Sequence, residues 1–426
     1  MIIGTVIGSG IFLVPGAVLK SVGNSVPLAA TVWLAGGVLS LLGALTYGEL
    51  SAMRPRAGGL YVYIRDSFGA LPAFLFGWTF FLVISAGTVA TLAVAFANYL
   101  GEFIPLPRMV AKGVSVLLIL CVTVVNIRGT RQSANLTNIT TAFKVIVIVA
   151  FGIILWTCGT HPLLDEAAAK AHTVSGLSGL GAAIISVLWA YEGWQYVTFS
   201  AGETINPQRT FPLAFLIGTV SLIVIYLLAN VGYIAALGAA GVADSTRVAA
   251  SALTVVVGSG ASKIVGIVIL VSMFSAANAT MLAAPRVYYA MAEDKLFFRS
   301  LARIHPTYRT PAFAIGVAGA WSAVLAAIGS FEQLLTFVVF IGWIFYALAA
   351  ASVFVYRRRE PNAVRAYRVP GYPLTPLIFI VAAVGLVVNT IATQPLRAGM
   401  GLGIVLLGVP AYLFWRRRAQ AHAAVR

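Results

Sequence analysis

The stretch GTVIGSGIFLVPG, residues 4–16, decides how this chain is read. Its composition is that of a membrane or core helix. Yet it carries glycines at 4, 8, 10 and 16, a serine at 9 and a proline at 15. In a helix interior a glycine costs about 1 kcal/mol relative to alanine, and a proline about 3 kcal/mol. A helix that had only to span or to pack gains nothing from so many breakers. The segment reads as a helix built to be interrupted.

The rest of the chain supplies the setting. Of its 426 residues 60% are hydrophobic and 9% charged, and the mean hydropathy is +0.95. A soluble domain carries roughly 25% charged residues, so this chain has too little charge to cover a soluble surface. It reads as an all-α integral membrane protein. The net charge of +16 does not point to nucleic acid, because the basic residues lie between apolar runs rather than on one polar domain. Cys121 and Cys158 form no disulfide framework or metal pattern. His161, His172, His305 and His422 fall in loops or the tail, without the acidic partner of a metallohydrolase helix. No cofactor and no metal are expected. No cleavable signal peptide is visible, and the first span looks shortened on its N-terminal side.

Apolar runs predict twelve spans, near 1–20, 27–53, 70–101, 109–127, 139–158, 179–202, 211–237, 262–290, 312–329, 333–356, 375–393 and 399–415. Even-spaced alternation of the barrel kind is absent. The connecting segments sort the cations. Twenty-one of the 28 Lys and Arg fall on one side, from Arg54, Arg56 and Arg65 through to Arg416, Arg417, Arg418 and Arg426. The remaining seven are Lys20, Arg108, Lys112, Lys170, Arg247, Lys263 and Arg397. Positive residues stay cytoplasmic, which predicts an inner-membrane, multi-pass protein with both termini in the cytoplasm. Lys144 is counted on the cytoplasmic side by its neighbourhood alone.

A second interrupted span is LWAYEGWQYVTFSAGETINP, residues 188–207, with Gly193 between Glu192 and Trp194. It is the sixth span, five after the first. Paired Gly- or Pro-broken spans at matching positions of two halves point to a transporter's central site. In hydrocarbon every backbone N–H and C=O must be paired, so a mid-membrane break is tolerable only beside a cavity. There the freed N–H groups of one half-helix attract an anion, and freed carbonyls accept from an ammonium. Such a pair suits a zwitterion. The competing reading is that Gly4 and Gly8 are a small-residue packing face.

Six motifs then carry a resemblance. GTVIGSGIF (4–12), YGEL (47–50), RPRAGGLYVYIRDSFG (54–69), WAYEGWQYVTFSAGETINPQRTFPLA (189–214), PRVYYAMAEDKLFFRSLARIHPTYRTP (285–311) and YRVPGYPLTP (367–376) stand in the order of the amino acid–polyamine–organocation superfamily. The chain most resembles its L-type amino acid transporter branch and bacterial relatives, over essentially the whole length. The resemblance implies 12 transmembrane helices in a LeuT-type 5+5 inverted repeat: helices 1–5 in 1–158, helices 6–10 in 176–356 and two accessory helices in 374–416. It implies alternating access and amino acid transport, often as exchange. Carried over, Val6, Gly8, Ser9, Gly10 and Ile11 would form the unwound carboxylate-binding stretch, and Trp189, Ala190, Glu192 and Gly193 the sixth-helix break. Trp189 would be an aromatic gate, or a packing residue of the bundle; Trp194 would be core or lipid-facing. The resemblance also leads one to expect cytosolic residues ahead of the first helix that help close an inner gate. In animal members a cysteine between helices three and four links a glycoprotein partner. The loop GEFIPLPRM (101–109) has none, so no disulfide-linked partner is expected.

The polar residues of the spans keep two readings each. Lys144, in NLTNITTAFKVIVIVAFG, is either a snorkelling lysine or an intramembrane charge facing the bundle; the resemblance places it where sodium-coupled relatives bind their cation. Asn278, in SMFSAANATMLAAPR, is a weaker candidate for the same site, or a bridge between helices. Glu192 either faces the cavity, where its charge could widen selectivity toward cationic amino acids, or braces a half-helix. The groups expected to answer its charge are the inner half-helix N-terminus, Lys144 or a positive substrate group. Glu49 and Arg54 read as anchors, and Arg357, Arg358 and Arg359 as a stop signal in contact with lipid. The reading that results is a sodium-independent exchanger of neutral L-amino acids. Its rivals are a proton-coupled amino acid or polyamine symporter of the same fold, an ion channel, and a membrane enzyme. The last two lack a filter motif and a nucleophile, metal or cofactor motif respectively.

Overall fold

A computed structural model describes residues 1–101, 103–163 and 176–424. Lys170, His172 and Arg426 lie outside the described residues. Within them the chain is helical, with no strand. Among the described residues nine helices are long and apolar enough to cross a membrane: Val26–Met53, Ala70–Gly101, Arg108–Arg128, Thr130–Cys158, Pro207–Asp244, Lys263–Glu293, Phe337–Arg359, Leu374–Thr393 and Pro395–Gln420. Val248–Val257 and Ala312–Ile328 are shorter apolar helices. Leu117, Ile146, Val224 and Ile267 are large apolar side chains left exposed on these helices, as a bilayer requires of the surface it solvates.

Local chemistry sets the ends. Ser25 caps Val26–Met53 by accepting from the Leu28 N–H at 3.4 Å, with Pro27 in the first turn, where its missing N–H costs nothing. Pro207 opens Pro207–Asp244, and Gly238, at φ 67°, ends its regular part, one residue beyond the run read as 211–237. The run read as 139–158 begins earlier, at Thr130. Its first turns are polar in sequence, but Ser133 and Thr137 are buried, and Asn126 and Asn278 meet them. A polar segment satisfied from the side continues the helix that hydropathy alone would have stopped.

The two quoted segments are broken as expected. The first forms Ile2–Val6, Gly10–Leu13 and Pro15–Ser21. The second is Gly176–Ala190, a turn through Gly193 at φ +120°, and a 3-10 helix over Trp194–Glu203. Ile2–Val6 packs against Ser259–Ala283, Trp194–Glu203, Pro207–Asp244 and Thr130–Cys158, so both breaks lie inside the bundle.

One end of the bundle is tied by charge. The fully buried Glu49 carboxylate takes both Arg357 nitrogens, at 2.9 and 2.7 Å, and the Val369 N–H at 2.7 Å. The Arg357 guanidinium lies 3.7 Å over the Tyr372 ring. Arg54 pairs with Glu360, Arg65 with Asp294 at 2.7 Å, and Arg286 with Glu203 at 2.9 Å. Arg357 is therefore more than a lipid contact: it neutralises a fully buried carboxylate. The YRVPGYPLTP motif supplies Val369 and Tyr372 to this knot. Glu49→Ala would leave Arg357 without its partner. It is expected to cost about 3 kcal/mol, read as a lower melting temperature of the detergent-solubilised protein. A melt unchanged from wild type would show the knot to be dispensable.

Candidate functional site

The first break is asymmetric in its hydrogen bonding. Its carbonyls are occupied by the protein. Lys144 Nζ donates to the Gly4 carbonyl at 2.8 Å and to the Ile7 carbonyl at 2.5 Å. Ser272 Oγ lies 3.1 Å from the Ile7 carbonyl and 3.2 Å from that of Gly8. Its donors are not occupied. Among the described residues, the N–H groups of Gly8, Ser9, Gly10 and Ile11 have no backbone acceptor across the break; the turn resumes with Phe12 and Leu13 donating to Ser9. Ser9 Oγ is buried without a partner. A row of free donors beside satisfied acceptors favours an anion.

The second break meets the first directly. Thr5 Oγ1 donates to the Gly193 carbonyl at 3.0 Å. The Tyr226 hydroxyl donates to the Ala190 carbonyl at 2.8 Å, with the Val6 carbonyl 3.3 Å away. The contact requires glycine. A Cβ on Gly10 would fall 2.5 Å from Ala190 Cα, and one on Gly193 would fall 3.1 Å from the Thr5 backbone. Val6, Gly8, Ser9, Gly10, Ala190 and Gly193 thus come together, with Ile11 and Trp189 buried beside them. Gly4 is also a packing glycine, its face closed by Thr137 and Thr141, so the small-residue reading holds for it in addition to the break.

Beyond Gly10–Leu13, at the end of the bundle opposite the Glu49 knot, a cavity of about 750 Å³ opens among Leu13, Ala17, Lys20, Asn98, Tyr99, Asp244 and Arg247.

This arrangement can be compared with known proteins. The amino acid permease family matches residues 1–409. This chain belongs to that family. It is a permease of the membrane and not an enzyme. The permease is 33% identical to the serine/threonine exchanger SteT of Bacillus subtilis over 98% of this chain and 95% of that protein. It is 32% identical to the human cystine/glutamate transporter, over 98% of this chain and 84% of the other. With the human b(0,+)-type amino acid transporter 1 it shares 31% over 93% and 81%.

The structure separates the alternative readings of the permease's polar residues. Lys144 is fully buried; its ammonium holds the broken helix and does not snorkel to lipid, which also removes it from the cytoplasmic charge count. Asn278 is not beside it. Its amide donates to Ser133 at 3.0 Å and Thr137 at 3.0 Å and accepts from Asn126 at 2.9 Å, a separate polar bridge between helices. Ser272, six residues earlier, takes the place expected of Asn278. Glu192 does not meet Lys144, whose ammonium is taken by Gly4 and Ile7. It accepts from Gln195 Nε2 at 2.5 Å and the Tyr346 hydroxyl at 2.6 Å, two neutral donors. Trp194 is core, caged by Tyr47, Phe215 and Phe379. The residues missed in sequence are Thr5, Gln195, Tyr226, Ser272 and Tyr346. Only Tyr226 and Tyr346 carry a signal, as phenols in apolar runs whose hydroxyls must find a partner; Thr5 and Ser272 look like any small membrane residue.

Proposed function

We propose that this permease exchanges neutral L-amino acids across the cytoplasmic membrane by alternating access, without sodium. The observation that carries the reading is the row of unpaired N–H groups from Gly8 to Ile11 with the unpaired Ser9 hydroxyl, a seat for the α-carboxylate common to every amino acid. Trp189 would cover the bound substrate from the second break. The buried Lys144 ammonium supplies in place the positive charge that a sodium ion would bring. The serine/threonine exchanger and the large neutral amino acids transporter small subunit 2 among the relatives support exchange of neutral substrates. The proposed architecture is the 5+5 inverted repeat, 1–158 and 176–356, with the two helices of 374–416 accessory. Its termini are cytoplasmic. Without a cysteine in 101–109, the permease would work without a disulfide-linked partner.

The test is uptake into proteoliposomes across a panel of amino acids. Uptake is expected only with amino acid inside, and unchanged when choline replaces sodium. Acid-stimulated accumulation into empty vesicles would instead establish the proton-coupled reading, and single-channel currents the channel reading. Glu192, held by Gln195 and Tyr346, is proposed as a brace of the break rather than a selectivity residue. Glu192→Gln is expected to weaken competition by leucine and by arginine by the same factor, about three- to ten-fold for a charge-assisted bond reduced to a neutral one. A loss confined to arginine and lysine would place the carboxylate in the pocket.

A further inference from the structure

Arg108 and Lys112 are unexplained by anything above. They stand four residues apart at the start of Arg108–Arg128, hence on one helix face, together with Ala111 and Ser115. That face lines a cavity of about 430 Å³ with Asn98, Ala326, Ile328 and Gly329. Neither cation has an ion-pair partner among the described residues, and no described residue of the lining is acidic.

This cationic cavity shares a wall with an apolar one. Ile328 and Gly329 also line a second space of about 410 Å³, walled by Trp78, Leu82, Trp321, Leu325, Phe337 and Leu407. The two indoles have turned their polar edges away: Trp78 Nε1 donates to the Ile404 carbonyl at 3.1 Å, and Trp321 Nε1 to the Leu82 carbonyl at 2.8 Å. What remains toward the cavity is hydrocarbon. Its walls come from the helices Ala70–Gly101, Ala312–Ile328, Phe331–Arg359 and Pro395–Ala424, and it runs from mid-bundle to the ends that carry Arg108.

We infer that the two cavities form one binding site for a phospholipid with an anionic headgroup, its phosphate on Arg108 and Lys112 and an acyl chain between Trp78 and Trp321. Charge complementarity selects the headgroup, and the apolar continuation selects a lipid over a soluble anion. The leaflet follows from the orientation proposed above; the site does not depend on that reading. Asn98 lines both this site and the large cavity beyond Gly10–Leu13.

The experiment uses the purified full chain, exchanged into detergent with phosphatidylglycerol or phosphatidylcholine, then washed and weighed intact by native mass spectrometry. The wild type is expected to retain phosphatidylglycerol over phosphatidylcholine. Arg108→Gln with Lys112→Gln is expected to lower that retention roughly ten- to thirty-fold, as two interfacial cations are removed. Leu325→Trp, which fills the apolar half and leaves both cations, is expected to lower it comparably. In parallel, phosphatidylglycerol should raise the melting temperature and inorganic phosphate should not. Undiminished retention by both variants, equal retention of phosphatidylcholine, or an equal melting shift with phosphate alone would overturn the inference. The readout is binding, so it stands or falls apart from any result on transport.

Discussion

Gly10→Val is expected to abolish amino acid binding while the protein still inserts and elutes as a single species. The reason is the closeness of the two breaks. A Cβ at position 10 would lie 2.5 Å from Ala190 Cα and 2.7 Å from its Cβ, and neither is the far end of a flexible side chain that could turn aside. Backbone must move, and the backbone here is the proposed seat of the carboxylate. Overpacking of this kind costs about 1–3 kcal/mol for a single methyl, or roughly ten- to hundred-fold in affinity; so Gly10→Ala gives the graded case and valine the complete one. Ser9→Ala should be milder, about two- to ten-fold, because the hydroxyl is one donor among several. Equilibrium binding of labelled substrate in detergent reads all three. Normal binding by Gly10→Val would mean that the carboxylate is held elsewhere.

The second large effect is expected at Lys144. Its ammonium has three N–H donors, and two of them hold the Gly4 and Ile7 carbonyls. In Lys144→Ala the Ile7 carbonyl keeps Ser272 as a donor, while that of Gly4 loses the only side-chain donor described for it. An unpaired carbonyl inside the membrane costs about 1–3 kcal/mol, and the piece Ile2–Val6 loses its tie to Thr130–Cys158. Turnover is expected to fall about ten- to hundred-fold, with substrate affinity changed much less, because the donors proposed for the carboxylate lie beyond the tie. Wild-type exchange in choline should equal that in sodium. Sodium-dependent uptake by the wild type would contradict the role given to this ammonium, and normal turnover in Lys144→Ala would make it a passive buried lysine.

The two mutations probe features of different legibility. The break around Gly10 could be read from residues 4–16 because glycine and proline act on the backbone they belong to, wherever the rest of the chain lies. That a charge such as Lys144 or Glu192 needs a partner could also be read, since an ionised group in hydrocarbon is costly alone. Which partner it finds could not. Glu192 accepts from two neutral donors, Gln195 and Tyr346, and not from Lys144. Asn278 and Ser272 are both small polar residues on the same helix; six residues apart, they face different neighbours, and only one of them meets the broken segment.

The amino-acid sequence by itself determined that this is a multispanning helical membrane protein with interruptions near Gly8 and Gly193. Both follow from local terms: transfer of apolar side chains into lipid, and the helix-breaking cost of glycine and proline. The tertiary structure alone decided that the acceptors of the first break are consumed and its donors left free. It also decided that Arg357 answers Glu49 across 308 residues, and that Arg108 and Lys112 line a cavity whose Ile328 and Gly329 also wall an apolar one. These depend on which helix faces pack together. A hydrogen bond or ion pair between distant residues leaves no period in the sequence of either, because its strength is set by a few tenths of an ångström in space and by the water that packing has removed.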